Sequence, residues 1–226
     1  MHDIRAGLMR VRERIAAAAE RAGRRADDVL LIAVSKTVEA ERIREAIDAG
    51  VAALGENRVQ EAKTKIGALG HPVPWHLIGH LQTNKVKDAL ALFDVIHSID
   101  RLEVAHEIER RAAGAGRPID VLLEVNVAHE SSKSGFVPDA VGGALDAIGG
   151  MAHLKVRGLM AIPPIAERAE DSRPAFKALS ALAQRRGLGE LSMGMSGDFE
   201  VAVEEGATMV RVGTAIFGPR PARASG

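Results

Sequence analysis

The chain has 226 residues, with 30 Lys and Arg against 30 Asp and Glu, so its formal net charge is zero. This balance argues against a protein that coats nucleic acid or an anionic membrane, and the 46% hydrophobic and 27% charged content is typical of an ordinary globular chain. The chain contains 0 cysteines and 0 tyrosines, which excludes disulfides, thiolate nucleophiles, cysteine metal sites and phenolic acid–base groups.

The first predicted element is a helix over residues 2–22, with charges throughout its length. A signal peptide would need an apolar core at this place, so we expect a cytoplasmic protein. No apolar run elsewhere approaches the roughly 18 residues that a membrane span needs.

Eight apolar runs follow, and helical patterns separate each run from the next. The predicted strands are residues 29–36, 51–54, 73–79, 93–99, 118–127, 153–162, 189–194 and 207–213. Strands that alternate with helices are parallel, and continuous apolar runs indicate strands covered on both faces. Eight such units predict an α/β protein that forms a single (β/α)8 TIM barrel over residues 1–226, with an extra N-terminal helix.

An open doubly wound sheet is the alternative architecture. A dinucleotide-binding version would carry a Gly-x-Gly-x-x-Gly turn after the first strand. The first strand instead runs into Ser35, Lys36 and Thr37, which disfavours that fold.

Lys36 is the first candidate functional residue, because it lies at the carboxyl end of an otherwise apolar strand. Active sites of barrels lie at that end of the strands. Apolar surroundings favour the neutral, nucleophilic form of an amine, which forms Schiff bases with aldehydes. The alternative is a lysine that extends from the barrel rim into solvent.

The loops after the seventh and eighth strands form the second candidate site. They carry Ser196, Gly213 and Thr214, and in barrels these two loops often bind phosphate. Ordinary helix capping is the alternative for each loop. A phosphate site opposite Lys36 suggests an aldehyde that carries a phosphate, either pyridoxal 5′-phosphate or a phosphosugar. Arg211 keeps its proton, so beside a pyridine nitrogen it would disfavour strong carbanion chemistry.

Seven segments carry a resemblance to a known family. They are LIAVSKT (31–37), GENRVQEA (55–62), WHLIGHLQTNK (75–85), HSIDR (97–101), EVNVAHESSKSGF (124–136), GLMAI (158–162) and LSMGMSGDFEVAVEEGATMVRVGTAIFG (191–218). Together they resemble the pyridoxal phosphate homeostasis proteins, which share their barrel with the N-terminal domain of alanine racemases. The matching segments cover the chain almost from end to end.

The resemblance implies a set of cofactor-binding positions. Lys36 would hold pyridoxal 5′-phosphate as an internal aldimine. The other implied positions are Ser196, Gly213 and Thr214 at the phosphate, Arg211 at the pyridine nitrogen, Asn57 and Met160 beside the ring, and His76 and Lys133 in motifs at the pocket mouth. No metal site is implied. A cofactor contact from a lysine in a longer C-terminal tail is not expected, because only residues 219–226 follow Gly218.

The function implied by the resemblance is intracellular homeostasis of pyridoxal phosphate, by storage and delivery to apo forms of enzymes that use it. We therefore expect a cofactor carrier and not an enzyme. We also expect a monomer without nucleic-acid or membrane partners, since the sequence shows no aromatic, apolar surface stripe.

Three enzymes remain as alternatives. A pyridoxal phosphate-dependent racemase would need a second base near Lys36, and with no tyrosine in the chain that base would be His76 or His97. A Schiff-base aldolase would use Lys36 on a substrate carbonyl. A metal-dependent hydrolase would use His76 and His80, but this pair precedes the next helix and does not share a helical face.

Overall fold

The computed structural model describes residues 3–128, 130, 133–164 and 166–219. The tail from residue 220 onward, which the sequence analysis singled out, lies outside the described residues. Residues 129, 131 and 132 of the EVNVAHESSKSGF segment lie outside them as well.

Eight parallel strands close into a barrel in chain order, so the predicted (β/α)8 architecture is confirmed. The strands are β1 (Leu30–Val34), β2 (Ala53–Glu56), β3 (Trp75–Leu77), β4 (Val95–Ile99), β5 (Ile119–Glu124), β6 (Leu154–Met160), β7 (Glu190–Ser192) and β8 (Met209–Val212). Pairing of β1 with β8, in which Ile32 lies opposite Arg211, closes the barrel.

The helices that cover the barrel alternate with the strands in the described part of the chain. They are α1 (Ile4–Arg21), α2 (Ala40–Asp48), α3 (Val59–Leu69), α4 (Val86–Leu92), α5 (Leu102–Ala115), α6 (Val141–Ile148), α7 (Arg173–Arg185), α8 (Phe199–Glu204) and α9 (Thr214–Phe217).

Helix α1 is the predicted extra helix at the N-terminus. It begins where the Asp3 carboxylate accepts a hydrogen bond of 3.0 Å from the Ala6 N–H, an ordinary N-cap. Its buried residues Leu8, Val11 and Ile15 recur every three to four positions, so one apolar stripe packs against the barrel's outer helices.

The first strand is shorter than the predicted 29–36, and its end matters for the site. Strand β1 ends at Val34, and Thr37 has a φ of 63°. The chain therefore turns directly after the strand, and Lys36 lies in a tight connection between β1 and α2. A left-handed residue ends a strand because its backbone departs from the extended conformation.

Within the described residues, none of the helices combines the length and the apolar character that a membrane crossing requires.

Candidate functional site

A cavity of about 300 Å³ opens among the loops at the carboxyl ends of the strands. This volume is within the range of small-molecule sites. Six residues predicted from the sequence line it: Lys36, Asn57, Ser196, Arg211, Gly213 and Thr214. Its apolar wall, which the sequence analysis did not identify, comes from Val34, Val38, Ile78, Ile162, Met195 and Phe217.

Hydrogen-bond donors converge on one side of this cavity. The backbone N–H groups of Gly213 and Ala215 both donate to the Ser196 hydroxyl oxygen, at 3.3 Å and 3.5 Å, which brings three donor groups together. A Cβ added at Gly213 would lie 3.1 Å from the Val34 carbonyl oxygen, so the glycine lets the loop lie close against β1. Amide and hydroxyl donors gathered in one concave loop suit an oxyanion such as a phosphate.

Arg211 is the charged residue on the inner wall of the cavity. The residue is 4% exposed, and its guanidinium donates to the Ser192 hydroxyl at 2.6 Å and to the Ala161 carbonyl at 3.0 Å. Burial lowers the pKa of Arg211 to about 10, and the charges of Asp198 and Glu124 oppose this shift. The residue therefore keeps its positive charge at neutral pH and can only donate hydrogen bonds.

Asn57 follows β2 and contributes a polar atom that the described residues leave without a partner. Its side-chain oxygen Oδ1 is buried and accepts no hydrogen bond from them. Buried polar groups are normally satisfied, so an unsatisfied acceptor in a cavity wall suits a ligand donor. The residues that line the cavity therefore fit a ligand that combines an anionic group with an apolar ring.

His76 lies inside the barrel, so the prediction that it lies at the pocket mouth is wrong. The side chain is 3% exposed, and its Nδ1 lies 2.8 Å from Nε2 of His97, which is itself fully buried. The two rings meet at 63° inside the barrel. Strand β3 is covered on both faces, so the apolar run around His76 does not reveal that its ring faces inward.

Met160 also lies away from the cavity wall. It is the last residue of β6, is fully buried, and packs with Ile32, Ala53, Leu122 and Met209. Its predicted place beside a ring stays a prediction.

Lys133 lines a second cavity of about 250 Å³ that shares Asn57, Ile78 and Ile162 with the first. Its ammonium is paired with Glu130 at 2.8 Å. Glu124 also lines this second cavity, and burial together with the nearby Asp100 raises its pKa to about 7.

A hydrogen-bonded chain inside the barrel was missed by the sequence analysis. It runs from Arg211 through Ser192 and His97 to His76, with distances of 2.6, 2.8 and 2.8 Å. Burial lowers the pKa of His76 to about 4 and that of His97 well below its ordinary value. Both imidazoles are therefore neutral at neutral pH.

The two histidines of the metal-hydrolase alternative are separated by the fold. His76 lies inside the barrel, whereas His80 is exposed and lies 2.9 Å from the Asp100 carboxylate. Within the part of the chain that the structure describes, no three histidine or carboxylate side chains come together as metal ligands would.

Comparison with known proteins gives relatives along nearly the whole chain. The family model for the alanine racemase N-terminal domain matches residues 8–221. The chain is 48% identical over 220 residues to a protein of Aquifex aeolicus named "Pyridoxal phosphate homeostasis protein", covering 94% of this chain and 96% of that one. It is 42% identical to the protein of the same name from Escherichia coli K12, with coverage of 97% and 98%.

Solved structures agree with these relatives. PipY of Synechococcus elongatus, solved with PLP bound, superposes with a TM-score of 0.79 at 39% identity, covering 90% of this chain and all (100%) of that one. An alanine racemase of Clostridium difficile superposes with a TM-score of 0.74 at 17% identity, covering 98% of this chain and 58% of that one. The second likeness concerns the fold alone.

Proposed function

The chain belongs to the pyridoxal phosphate homeostasis protein family, and on that basis we propose that it binds pyridoxal 5′-phosphate at Lys36 and serves to store and deliver this cofactor in the cell. One observation carries the proposal: Lys36 and the donor-rich Ser196 and Gly213 loops line the same cavity. A lysine amine and an oxyanion site in one cavity are complementary to the aldehyde and to the phosphate of a phosphorylated aldehyde.

The cofactor would supply an aldehyde, which condenses with an amine to form a carbon–nitrogen double bond and release water. The polar groups of the cavity would each hold a different part of the cofactor. The hydroxyls of Ser196 and Thr214 and the N–H of Gly213 would donate to the phosphate. Arg211 would donate to the pyridine nitrogen, and the Asn57 oxygen would accept a hydrogen bond.

Arg211 supports binding without strong catalysis. An arginine beside the pyridine nitrogen does not protonate it, and an unprotonated ring withdraws electrons weakly. The 226 residues contain 0 tyrosines, so the tyrosine base used with a lysine in related racemases is missing from this sequence. We therefore propose a carrier in preference to a racemase, with apo forms of pyridoxal phosphate-dependent enzymes as recipients.

The binding proposal is tested by the near-visible absorption spectrum of the purified protein after addition of pyridoxal 5′-phosphate. Borohydride reduction and peptide mass mapping then locate the cofactor. We expect a yellow band that bleaches on reduction, with the pyridoxyl mass on the peptide that contains Lys36. Lys36→Ala should lose that band and retain phosphate-dependent binding weakened by about tenfold or more.

Lys63→Ala is the matched control, because Lys63 is an exposed lysine of α3. It should keep the wild-type band and affinity. A Lys36→Ala protein with an unchanged absorption band would show that the anchor is another residue, and a wild-type protein that takes up no cofactor would refute the proposal.

Delivery is tested separately by mixing the loaded protein with an apo-enzyme that depends on pyridoxal phosphate. We expect the recipient to regain activity while the yellow band of the carrier declines. An assay with single amino acids should show no racemisation by the carrier. Steady turnover of an amino acid would favour the racemase alternative.

A further inference from the structure

A buried ion cluster lies directly behind the segment that carries Lys36. Lys65 of α3 is 8% exposed, and its ammonium lies 2.6 Å from the Ser35 carbonyl oxygen, 2.7 Å from Glu56 Oε1 and 2.6 Å from Glu61 Oε1. An ammonium has three donors, so these three acceptors satisfy Lys65 completely.

The two carboxylates extend the cluster to both neighbours of Lys36. Glu56 Oε1 accepts the Ser35 hydroxyl at 2.6 Å. Glu61 Oε1 accepts the Thr37 backbone N–H at 2.6 Å. The residues before and after Lys36 are therefore both tied to Lys65, the first directly and the second through Glu61.

Thr37 has a backbone conformation that threonine disfavours, so contacts around this segment must hold it in place. Its φ of 63° makes it the one residue other than glycine with a positive φ in the described part of the chain. A β-branched residue in the left-handed region is strained, and such strain persists only where the surroundings impose it. The hydrogen bond to Glu61 supplies that constraint.

We infer that Lys65 is a positioning residue for Lys36: together with Glu61 it fixes the backbone on both sides of the anchor lysine, so that the amine meets the aldehyde of a cofactor held by its phosphate. This inference rests on the proposed function. In the capture step the neutral amine forms a carbon–nitrogen double bond to the aldehyde carbon, the carbon–oxygen bond breaks, and the oxygen leaves as water with the two hydrogens of the amine. Fixing the two reacting groups relative to each other raises the rate of such a step.

Two arguments exclude other roles for Lys65, namely that it is a second cofactor anchor or that it only stabilises the fold. Lys65 does not line the 300 Å³ cavity, and its three donors are occupied by protein acceptors. A buried ion pair seldom stabilises a fold more than apolar residues of the same volume would. Placement of a specific backbone segment is the role that suits such a cluster.

The test compares two ligands on wild-type protein, Lys65→Met and the control Lys63→Met, which changes an exposed lysine of the same helix. Pyridoxal 5′-phosphate reports covalent capture, timed by borohydride quenching and mass mapping of the Lys36 peptide. Pyridoxine 5′-phosphate carries the same ring and phosphate without the aldehyde, so its dissociation constant reports the cavity alone.

We expect Lys65→Met to slow capture by about tenfold or more, because small misplacements of reacting groups carry large rate penalties. Binding of pyridoxine 5′-phosphate should stay within about twofold of wild type. Lys65→Arg, which can donate to the same acceptors, should recover part of the rate, and Lys63→Met should change neither quantity.

Glu61→Ala provides a second variant in case Lys65→Met does not fold, since the Glu61 side chain is 27% exposed and its loss is tolerated more easily. It removes the acceptor of the Thr37 N–H and should also slow capture selectively. Wild-type capture rates in both variants, or equal losses for both ligands, would overturn the inference. A wild-type protein that never links the cofactor to Lys36 would instead overturn the proposed function itself.

Discussion

The guanidinium of Arg211 donates a hydrogen bond of 2.6 Å to the hydroxyl of Ser192, and both side chains are buried inside the barrel. Because Arg211 can only donate, the Ser192 hydrogen is available to Nδ1 of His97, 2.8 Å away. His97 then donates from Nε2 to Nδ1 of His76. This hydrogen-bond network assigns one tautomer to each ring and orients Arg211 toward the cavity.

Replacement of Ser192 by alanine should destabilise the protein. The change leaves an Arg211 donor and His97 Nδ1 without their shared partner in a buried site, which typically costs about 1–3 kcal/mol. Urea denaturation at pH 7 measures the free energy of unfolding. Ser134→Ala, at an exposed serine, should stay within about 0.5 kcal/mol of wild type. Equal effects of the two changes would contradict this account of the network.

His76 should make the protein sensitive to acid. Burial lowers its pKa from 6.5 to about 4 in the folded protein, so between these values the unfolded chain binds a proton that the folded chain does not. The stability contributed by neutral His76 is present above pH 6.5 and is lost as the pH falls toward 4. His76→Gln should reduce the loss of unfolding free energy between pH 7 and pH 4.5 by about 2–3 kcal/mol. His106→Gln, at an exposed histidine, should leave the loss as in wild type.

Glu124 should contribute a pH dependence of the opposite sign. Burial and the nearby Asp100 raise its pKa from 4.5 to about 7, so as the pH rises through this range the unfolded chain releases a proton that the folded chain retains. Stability from this group is therefore full below pH 4.5 and is lost by pH 7. Glu124→Gln should remove a loss of roughly 2–3 kcal/mol between pH 4.5 and pH 8. Denaturation curves at the two pH values measure this loss. If the stability of Glu124→Gln depended on pH as that of the exposed-site control Glu103→Gln does, the raised pKa of Glu124 would be refuted.

Position 79 requires glycine, because the Asn57 backbone lies so close that it leaves no room for a Cβ atom. A Cβ at Gly79 would lie 2.4 Å from the Asn57 carbonyl oxygen and 2.7 Å from its Cα. Gly79→Ala should displace Asn57, lower stability by about 1–3 kcal/mol and weaken binding of pyridoxine 5′-phosphate. Gly67→Ala is the control, because nothing lies within 4 Å of its added methyl group. That variant should gain about 0.5–1 kcal/mol from its helical position and bind normally.

Thr37→Asn should stabilise the protein by about 1 kcal/mol, because asparagine adopts the left-handed conformation more readily than threonine does. The backbone N–H of residue 37 would still donate to Glu61, so cofactor capture at Lys36 should be unchanged. Thermal and urea denaturation measure the first effect. Thr64→Asn, on the exposed surface of α3, should show no such gain, and a destabilised Thr37→Asn protein would contradict the strain at this position.

The sequence by itself determined the alternation of apolar runs and helices, and with it the closed barrel. It also determined which residues follow the carboxyl ends of the strands. Lys36, Ser196 and Gly213 could be assigned to one face from chain order alone, because the carboxyl ends of all the parallel strands meet there. The motifs around them carried the family resemblance. These properties depend on local pattern and strand order, which can be read directly from the amino-acid sequence.

Only the tertiary structure decided which side chains face the barrel interior. Strands covered on both faces show no alternation, so no pattern indicated that His76 and His97 meet inside. The place of Lys65 behind Lys36 likewise depends on how α3 packs against the first two strands, and its spacing from Glu61 resembles an ordinary surface ion pair. Both features arise from contacts between elements distant in sequence, and these contacts exist only after the barrel has closed.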